Sequence, residues 1–221
     1  MKIKGVFTRY IELIKLLFAS KEKRFTDIYL KDKWHSNESK SGKGSEIANT
    51  ENVRAFLPEI VKTYSLKSLL DIPCGDFNWM KEVVSNFQTY TGGDIVDELI
   101  LKNNDKYSNE RIKFNKIDIV NDPIPPADLL LCRDLFIHLS FKDIRKVIDK
   151  VKKSNVKYLL ASTYKIMSNK DIKTGLFRPV NLCLDPINLP EPLRIIFDGY
   201  GKPESPSGLK YLALWNIENL R

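Results

Sequence analysis

From Ser65 to Thr163, short apolar runs alternate with stretches of helical spacing, and this alternation constrains the chain more than any other feature. Residues 66–72, 89–95, 112–119, 127–132 and 156–163 read as strands. Trp79, Met80, Val83, Val84 and Phe87 fall at helical spacing after the first run. The segment after the second run also reads as a helix, as do residues 141–153. The 127–132 run is nearly all apolar, as a parallel strand covered on both faces must be. Strands alternating with helices predict an α/β fold, a doubly wound and mostly parallel sheet. Beyond Thr163 the pattern changes. Pro179, Pro186, Pro190, Pro192, Pro203 and Pro206 punctuate the tail. The runs 193–197 and 209–215 predict antiparallel strands at the sheet edge, after a long ordered loop.

Two segments precede the sheet. In residues 1–24, Ile3, Val6, Phe7, Tyr10, Ile14, Leu17 and Phe18 fall on one side of a helix otherwise rich in Lys and Arg. Such a face packs on the domain or on a second subunit, or lies on an anionic membrane surface. Residues 34–50 are polar, with small residues suited to a loop that closes near a ligand, and Thr50 is placed to cap the next helix. The chain therefore divides into a helical extension with an active-site lid, residues 1–50, and a main domain, residues 51–221.

Composition narrows the function classes. Lys and Arg number 36 against 28 Asp and Glu, a formal charge of +8. This suits anionic partners such as phosphorylated sugars, but the lysines are scattered and form no aromatic-plus-arginine stripe for nucleic acid. Cys74, Cys132 and Cys183 form no C-x-x-C pair, and His35 and His138 are far apart, so no zinc site is expected. Cysteine usage fits a reducing, cytoplasmic setting. No apolar run is long enough to span a membrane.

In an open α/β sheet, ligands bind beyond the carboxyl ends of the strands, so the residues ending each strand matter most. The first ends in Asp71-Ile-Pro73-Cys74-Gly75-Asp76, where Gly75 permits a tight turn and Asp76 suits a helix start. The second ends in Gly92-Gly93-Asp94-Ile95, an acid about 20 positions after the glycine turn, where ribose hydroxyls are commonly held. The third ends in Asp118-Ile119, an acid that can accept from an adenine amine beside an apolar cover. The fourth ends in Cys132-Arg133-Asp134, with His138 four residues after Asp134 and therefore on the same face of a helix or turn.

With these motifs in view, the sequence resembles the class I S-adenosylmethionine-dependent methyltransferases over residues 66–163. The resemblance implies S-adenosyl-L-methionine as cofactor. It places the methionine part on Asp71, Pro73, Cys74 and Gly75, the ribose on Asp94 and Ile95, and the adenine on Asp118 and Ile119. Arg133 and Arg54 become candidates for the cofactor carboxylate, and His138, Asp134 and Arg133 face the methyl acceptor. His138 is the candidate base, because its ordinary pKa lies near neutrality. Trp34, Ser41, Tyr164 and Asn181 are candidates for the acceptor pocket. The usual turn, acid-x-Gly-x-Gly-x-Gly, is altered: Pro73 and Phe77 stand at the first and third glycine positions.

A narrower resemblance, to bacterial methyltransferases associated with surface-polysaccharide and glycan pathways, rests on five segments. They are Ser39–Ser45, Asn52-x-Arg54 with Leu57-Pro58, Pro73–Trp79, Arg133–Leu139, and Arg178-Pro-x-Asn181 with Leu189-Pro190 and Leu214-Trp215. It implies O-methylation of a sugar, sugar phosphate or glycan-linked acceptor, with a homodimer and peripheral membrane contact through residues 1–24 left open. Two other readings stand beside it. One is a cofactor-binding scaffold subunit of a membrane-associated assembly. The other is a nucleic-acid methyltransferase, against which Arg133-Asp134 stands in place of the Asn/Asp-Pro-Pro-aromatic motif.

Overall fold

The computed structural model describes residues 19–200, 205 and 209–220. Seven strands form one sheet: β1 (Ser68–Asp71), β2 (Thr89–Asp94), β3 (Ile112–Lys116), β4 (Leu129–Cys132), β5 (Tyr158–Tyr164), β6 (Arg194–Phe197) and β7 (Lys210–Asn216), in the order β3-β2-β1-β4-β5-β7-β6. The first five are parallel, and β7 runs antiparallel to both β5 and β6. This is the doubly wound, mostly parallel sheet that the alternation predicts. The late hairpin is antiparallel as expected, with β7 placed between β5 and β6.

The sheet is covered on both faces. Helices α1 (Lys21–Leu30), α2 (Glu51–Tyr64) and α3 (Asp97–Tyr107) contribute Tyr29, Val53, Phe56, Leu57, Leu99 and Ile100 to one apolar core. Helix α4 (Phe141–Lys153) buries Ile144, Val147, Ile148 and Val151 in the other, together with Val180, Leu182 and Leu189 from the long loop. Ser140 caps α4 by accepting from the Asp143 amide. No helix among the described residues is long and apolar enough to cross a membrane.

Several expectations are corrected. A single helix through residue 24 does not occur: Ser20 is extended and caps α1, which starts at Lys21. Residues 1–18, which carry most of the expected amphipathic pattern, lie outside the described residues. Thr50 precedes α2 but does not cap it; its hydroxyl donates to the Glu46 and Ile47 carbonyls instead. The helix expected around residues 79–87 is a pair of short 3-10 turns, Met80–Glu82 and Val84–Asn86. Phe77 has a left-handed backbone, the turns close mainly through i to i−3 bonds such as Glu82 to Trp79 and Val83 to Met80, and Val83 leaves the helical region between them, so the segment forms two turns rather than one α-helix. The apolar spacing still buries Trp79, Met80, Val83 and Phe87. The third strand stops at Lys116, leaving Asp118 and Ile119 in the turn that follows.

Candidate active site

The sheet order reverses between β1 and β4, and a cavity of about 380 Å³ opens there. Its floor is built from strand ends: Asp71–Gly75 after β1, Asp94–Val96 after β2, Ile117–Val120 after β3, and Arg133–Leu135 after β4. Its roof comes from the N-terminal segment. Lys21, Phe25 and Tyr29 present one face of α1 to the cavity, followed by Trp34 and residues 41–45. Lys21 ties that roof to Asp118 at 3.2 Å, and Glu22 pairs with Lys116 at 2.7 Å.

The turn after β1 explains the altered glycine pattern. Gly75 has φ +54°, and a Cβ there would lie 2.3 Å from the Ser41 hydroxyl. Phe77 takes a glycine-like φ of +60° as well. Its ring packs 5.1 Å, centroid to centroid, from each of Tyr90, Tyr107 and Phe114, which offsets the backbone cost. Asp76 caps no helix. Its carboxylate accepts from the Ser39 hydroxyl at 3.0 Å, the Lys40 amide at 2.7 Å and the Ser41 hydroxyl at 3.2 Å, which fastens the roof loop to the turn.

Asp94 is buried and accepts from the Val96 amide at 3.0 Å and the Gly75 amide at 3.3 Å. Burial pushes its carboxyl up to about 6 despite those amides. Asp71, also buried, accepts from the Tyr90 hydroxyl at 3.0 Å, and burial pushes it up to about 8. Asp118 is partly open and accepts from the Val120 amide and the Asn121 side chain, with Ile119 and Val120 buried beside it.

The far wall holds the charged groups. Arg133 is buried; it grips Asp198 through two hydrogen bonds of 2.9 and 3.0 Å and lies over Trp79. Its fork is therefore engaged by a protein carboxylate. Asp134 has φ +58° and accepts from the Lys210 ammonium at 2.9 Å. Burial alone would raise its pKa, but the Lys210 and Arg133 charges hold it at about 2. His138 closes the 3-10 turn Phe136–His138 and lines the same cavity. Its Nδ1 lies 2.9 Å from the Leu176 carbonyl, which can only accept, so Nδ1 carries the proton and Nε2 of the neutral ring is free to take one. Burial pulls the His138 pKa below its ordinary value.

The structure brings Trp34, Ser41, Tyr164 and every strand-end candidate to one cavity. It does not bring Arg54 or Asn181 there. Arg54 donates to Thr50 and to the Ile47 carbonyl, and Asn181 organises the long loop through Asn169 and Cys183. Asp134 and His138 share the cavity, but across a left-handed residue and a 3-10 turn rather than along one helix face. Sequence reasoning missed Lys210, Asp198 and Tyr200. Lys210 and Tyr200 line the cavity, and Asp198 lies directly behind it. It also missed what Arg178 does: its guanidinium donates to the Phe136, Leu139 and Lys170 carbonyls and so holds the His138 turn in place. A buried Lys after a proline-rich loop carries no local signal of its partner.

No protein-family model matches the sequence, and no curated protein matches it. Solved structures do. The methyltransferase domain of bacterial CtHen1-C is similar over 76% of this chain and 98% of that one, at 13% identity and a TM-score of 0.56. The chain has the Rossmann-like methyltransferase fold. Weaker likenesses to methyltransferases include an S-adenosylmethionine-dependent enzyme from Clostridium acetobutylicum, at 18% identity over 57% of this chain and 56% of that one, with a TM-score of 0.46. Human N-acetylserotonin methyltransferase in complex with SAM is 17% identical over 67% of this chain and 43% of its own length, with a TM-score of 0.44. The methyltransferase fold places its ligand crevice at the reversal of strand order, where the cavity lies here.

Proposed function

We propose that this chain is an S-adenosylmethionine-dependent methyltransferase acting on a hydroxyl oxygen of a sugar, sugar phosphate or glycan-linked acceptor. One observation carries the reading: the acids after β1, β2 and β3 line the same cavity as Asp134 and His138, so a nucleoside site and a proton acceptor share one space. The cavity falls within the range of small-molecule sites, about 300–1,000 Å³. Asp94 has lone pairs left for a diol, and Asp118 lies beside the apolar Ile119 and Val120, which suit a flat ring. The cofactor supplies an electrophilic methyl on sulfur. The protein's part is to position the acceptor and to take its proton. Asp134, ionised and fixed, accepts a hydrogen bond from a neighbouring hydroxyl of the acceptor and so aims the reacting oxygen, whose own proton points to His138. His138 receives the proton at Nε2. Phe25, Trp34 and Phe177 stand 6.0–6.3 Å from the His138 ring and suit the C–H face of a sugar. Lys43, exposed at the cavity with no ion pair among the described residues, suits a phosphate.

Calorimetric titration with S-adenosylmethionine and S-adenosylhomocysteine tests the cofactor half. Saturable binding is expected, weakened about tenfold or more, roughly 1.4 kcal/mol, by Asp94→Ala. Labelled-methyl transfer to a panel of free sugars, sugar phosphates and nucleotide sugars tests the acceptor half. Folded protein that binds neither ligand overturns the reading. Tight binding without transfer to any acceptor points to a scaffold subunit instead.

A further inference from the structure

Three strand ends and one turn bring charge to the acceptor wall. Because β7 is antiparallel, its first residue, Lys210, pairs in register with Tyr164 at the end of β5. Both therefore lie at the carboxyl edge of the parallel strands. Asp198, immediately after β6, donates its amide to the Lys210 carbonyl and so arrives at the same level. The Lys210 side chain is only 2% exposed, and its ammonium lies 2.9 Å from Asp134 and 3.2 Å from Asp198. A lysine so deeply buried is tolerated only when paired. Arg133 already satisfies Asp198 through two hydrogen bonds, which leaves Lys210 to hold Asp134.

Asp134 needs holding. Its left-handed backbone is an unfavoured conformation for a residue with a side chain. Its amide donates to the Ser162 hydroxyl at 2.9 Å, and its side chain, 29% exposed, is the partly open member of the cluster. Gly44 of the roof loop passes so close that a Cβ there would lie 3.4 Å from the Asp134 carboxylate and 3.8 Å from the Lys210 ammonium. The carboxylate is thus confined between Lys210, Arg133, Ser162 and the roof, with the cavity in front of it.

We propose that Lys210 is a positioning residue of the methyl-transfer site: its ammonium fixes the direction and the charge of the Asp134 carboxylate that holds the acceptor. This rests on the methyltransferase reading above. It adds a residue from outside the nucleotide-binding half of the sheet, and it explains why β7 starts inside the cavity. The groups facing Asp134 are Arg133 just after β4, His138 from the following turn, Tyr164 from β5, Asp198 and Tyr200 after β6, and Lys210 from β7. Of these, only Arg133 and Lys210 touch it as cations, so deleting Lys210 leaves two carboxylates sharing one guanidinium.

The test uses the full-length protein with Lys210→Met, which keeps the volume, and Lys210→Arg, which keeps the charge. Carbon-13 NMR follows the Asp134 carboxyl, assigned with Asp134→Asn, against pH. Lys210→Met is expected to raise its titration midpoint by about one pH unit or more, and Lys210→Arg to restore most of that shift. With an acceptor from the panel, kcat at about pH 6 is expected to fall about tenfold or more in Lys210→Met and to recover in Lys210→Arg. Calorimetric binding of S-adenosylhomocysteine should stay within about twofold in both variants, which also reports folding. An unmoved Asp134 titration in a variant that still folds overturns the proposal, as does an unmoved kcat. If wild-type protein binds no S-adenosylhomocysteine, the methyltransferase reading fails by itself, while the NMR arm still decides the Lys210–Asp134 coupling.

Discussion

At the scale of single residues, His138 and Gly75 show how local geometry sets chemistry. The Leu176 carbonyl fixes the His138 tautomer, and the aromatic rings of Phe25, Trp34 and Phe177 keep the imidazole neutral by burial. On the mechanism proposed above, His138 is the general base and its neutral form is the active one, so activity is expected to fall as pH drops through the His138 pKa. Because that pKa lies below the ordinary 6.5, the acid limb of kcat is expected below pH 6.5. His138→Gln should lower kcat by roughly 10²–10⁴-fold and leave S-adenosylhomocysteine affinity nearly unchanged, read by transfer kinetics and calorimetry. Gly75 tests the turn. Gly75→Ala places a methyl against Ser41 in a left-handed backbone and should destabilise the protein by about 1–3 kcal/mol in urea unfolding.

At the scale of elements, the parallel strands are fastened where their runs begin. Asp128, just before β4, accepts from the Lys67 amide at 2.7 Å and the Ser68 amide at 3.0 Å, and pairs with Lys157 before β5 at 2.7 Å. One carboxylate thus sets the register of β1, β4 and β5. Burial raises its pKa, but Lys157 and the two amides win and hold it at about 2. A carboxyl held below its unfolded value adds stability above about pH 4, and that stability is lost as pH falls toward 2. Asp128→Asn should therefore cost about 1 kcal/mol at neutral pH. The gap to wild type should close in acid-unfolding measurements near pH 2. A gap that stays constant with pH would mean that shape, not charge, sets the register.

For the whole molecule, the cavity is carved at the expense of buried carboxyls. Asp71 and Asp94 have pKa values pushed up to about 8 and about 6, so the folded state holds their protons more tightly than the unfolded chain does. Their contribution is fully present below about pH 4 and is lost as pH rises through 6 for Asp94 and 8 for Asp71. His138, held below 6.5, acts in the opposite sense as pH rises through its lowered pKa toward 6.5. The clean measurement is a difference. The melting temperature of Asp71→Asn relative to wild type should climb steadily between about pH 4 and 8. A flat difference would show that Asp71 is ionised throughout, with its charge compensated by Arg133.

Much of this was legible in the chain itself, for a physical reason. Parallel strands covered on both faces must be apolar throughout, and ligand acids in such sheets must sit at strand ends. The β1–β5 alternation and the positions of Asp71, Asp94 and Asp134 are therefore local facts of sequence. The α4 boundaries are equally local, fixed by Ser140 and a clean apolar stripe. Tertiary structure alone decided the rest. Whether spacing at residues 79–87 becomes a helix depended on Phe77 locking into a ring cluster drawn from β2, α3 and β3. Arg54 and Asn181 carry the right side chains for a pocket, but their partners are nearby backbone and loop groups. Asp198 joins Arg133 across 65 residues of chain and Lys210 joins Asp134 across 76, because an antiparallel hairpin folds back to the carboxyl edge of the sheet. Burial, pairing and pKa belong to that meeting of distant residues, and no window of sequence contains it.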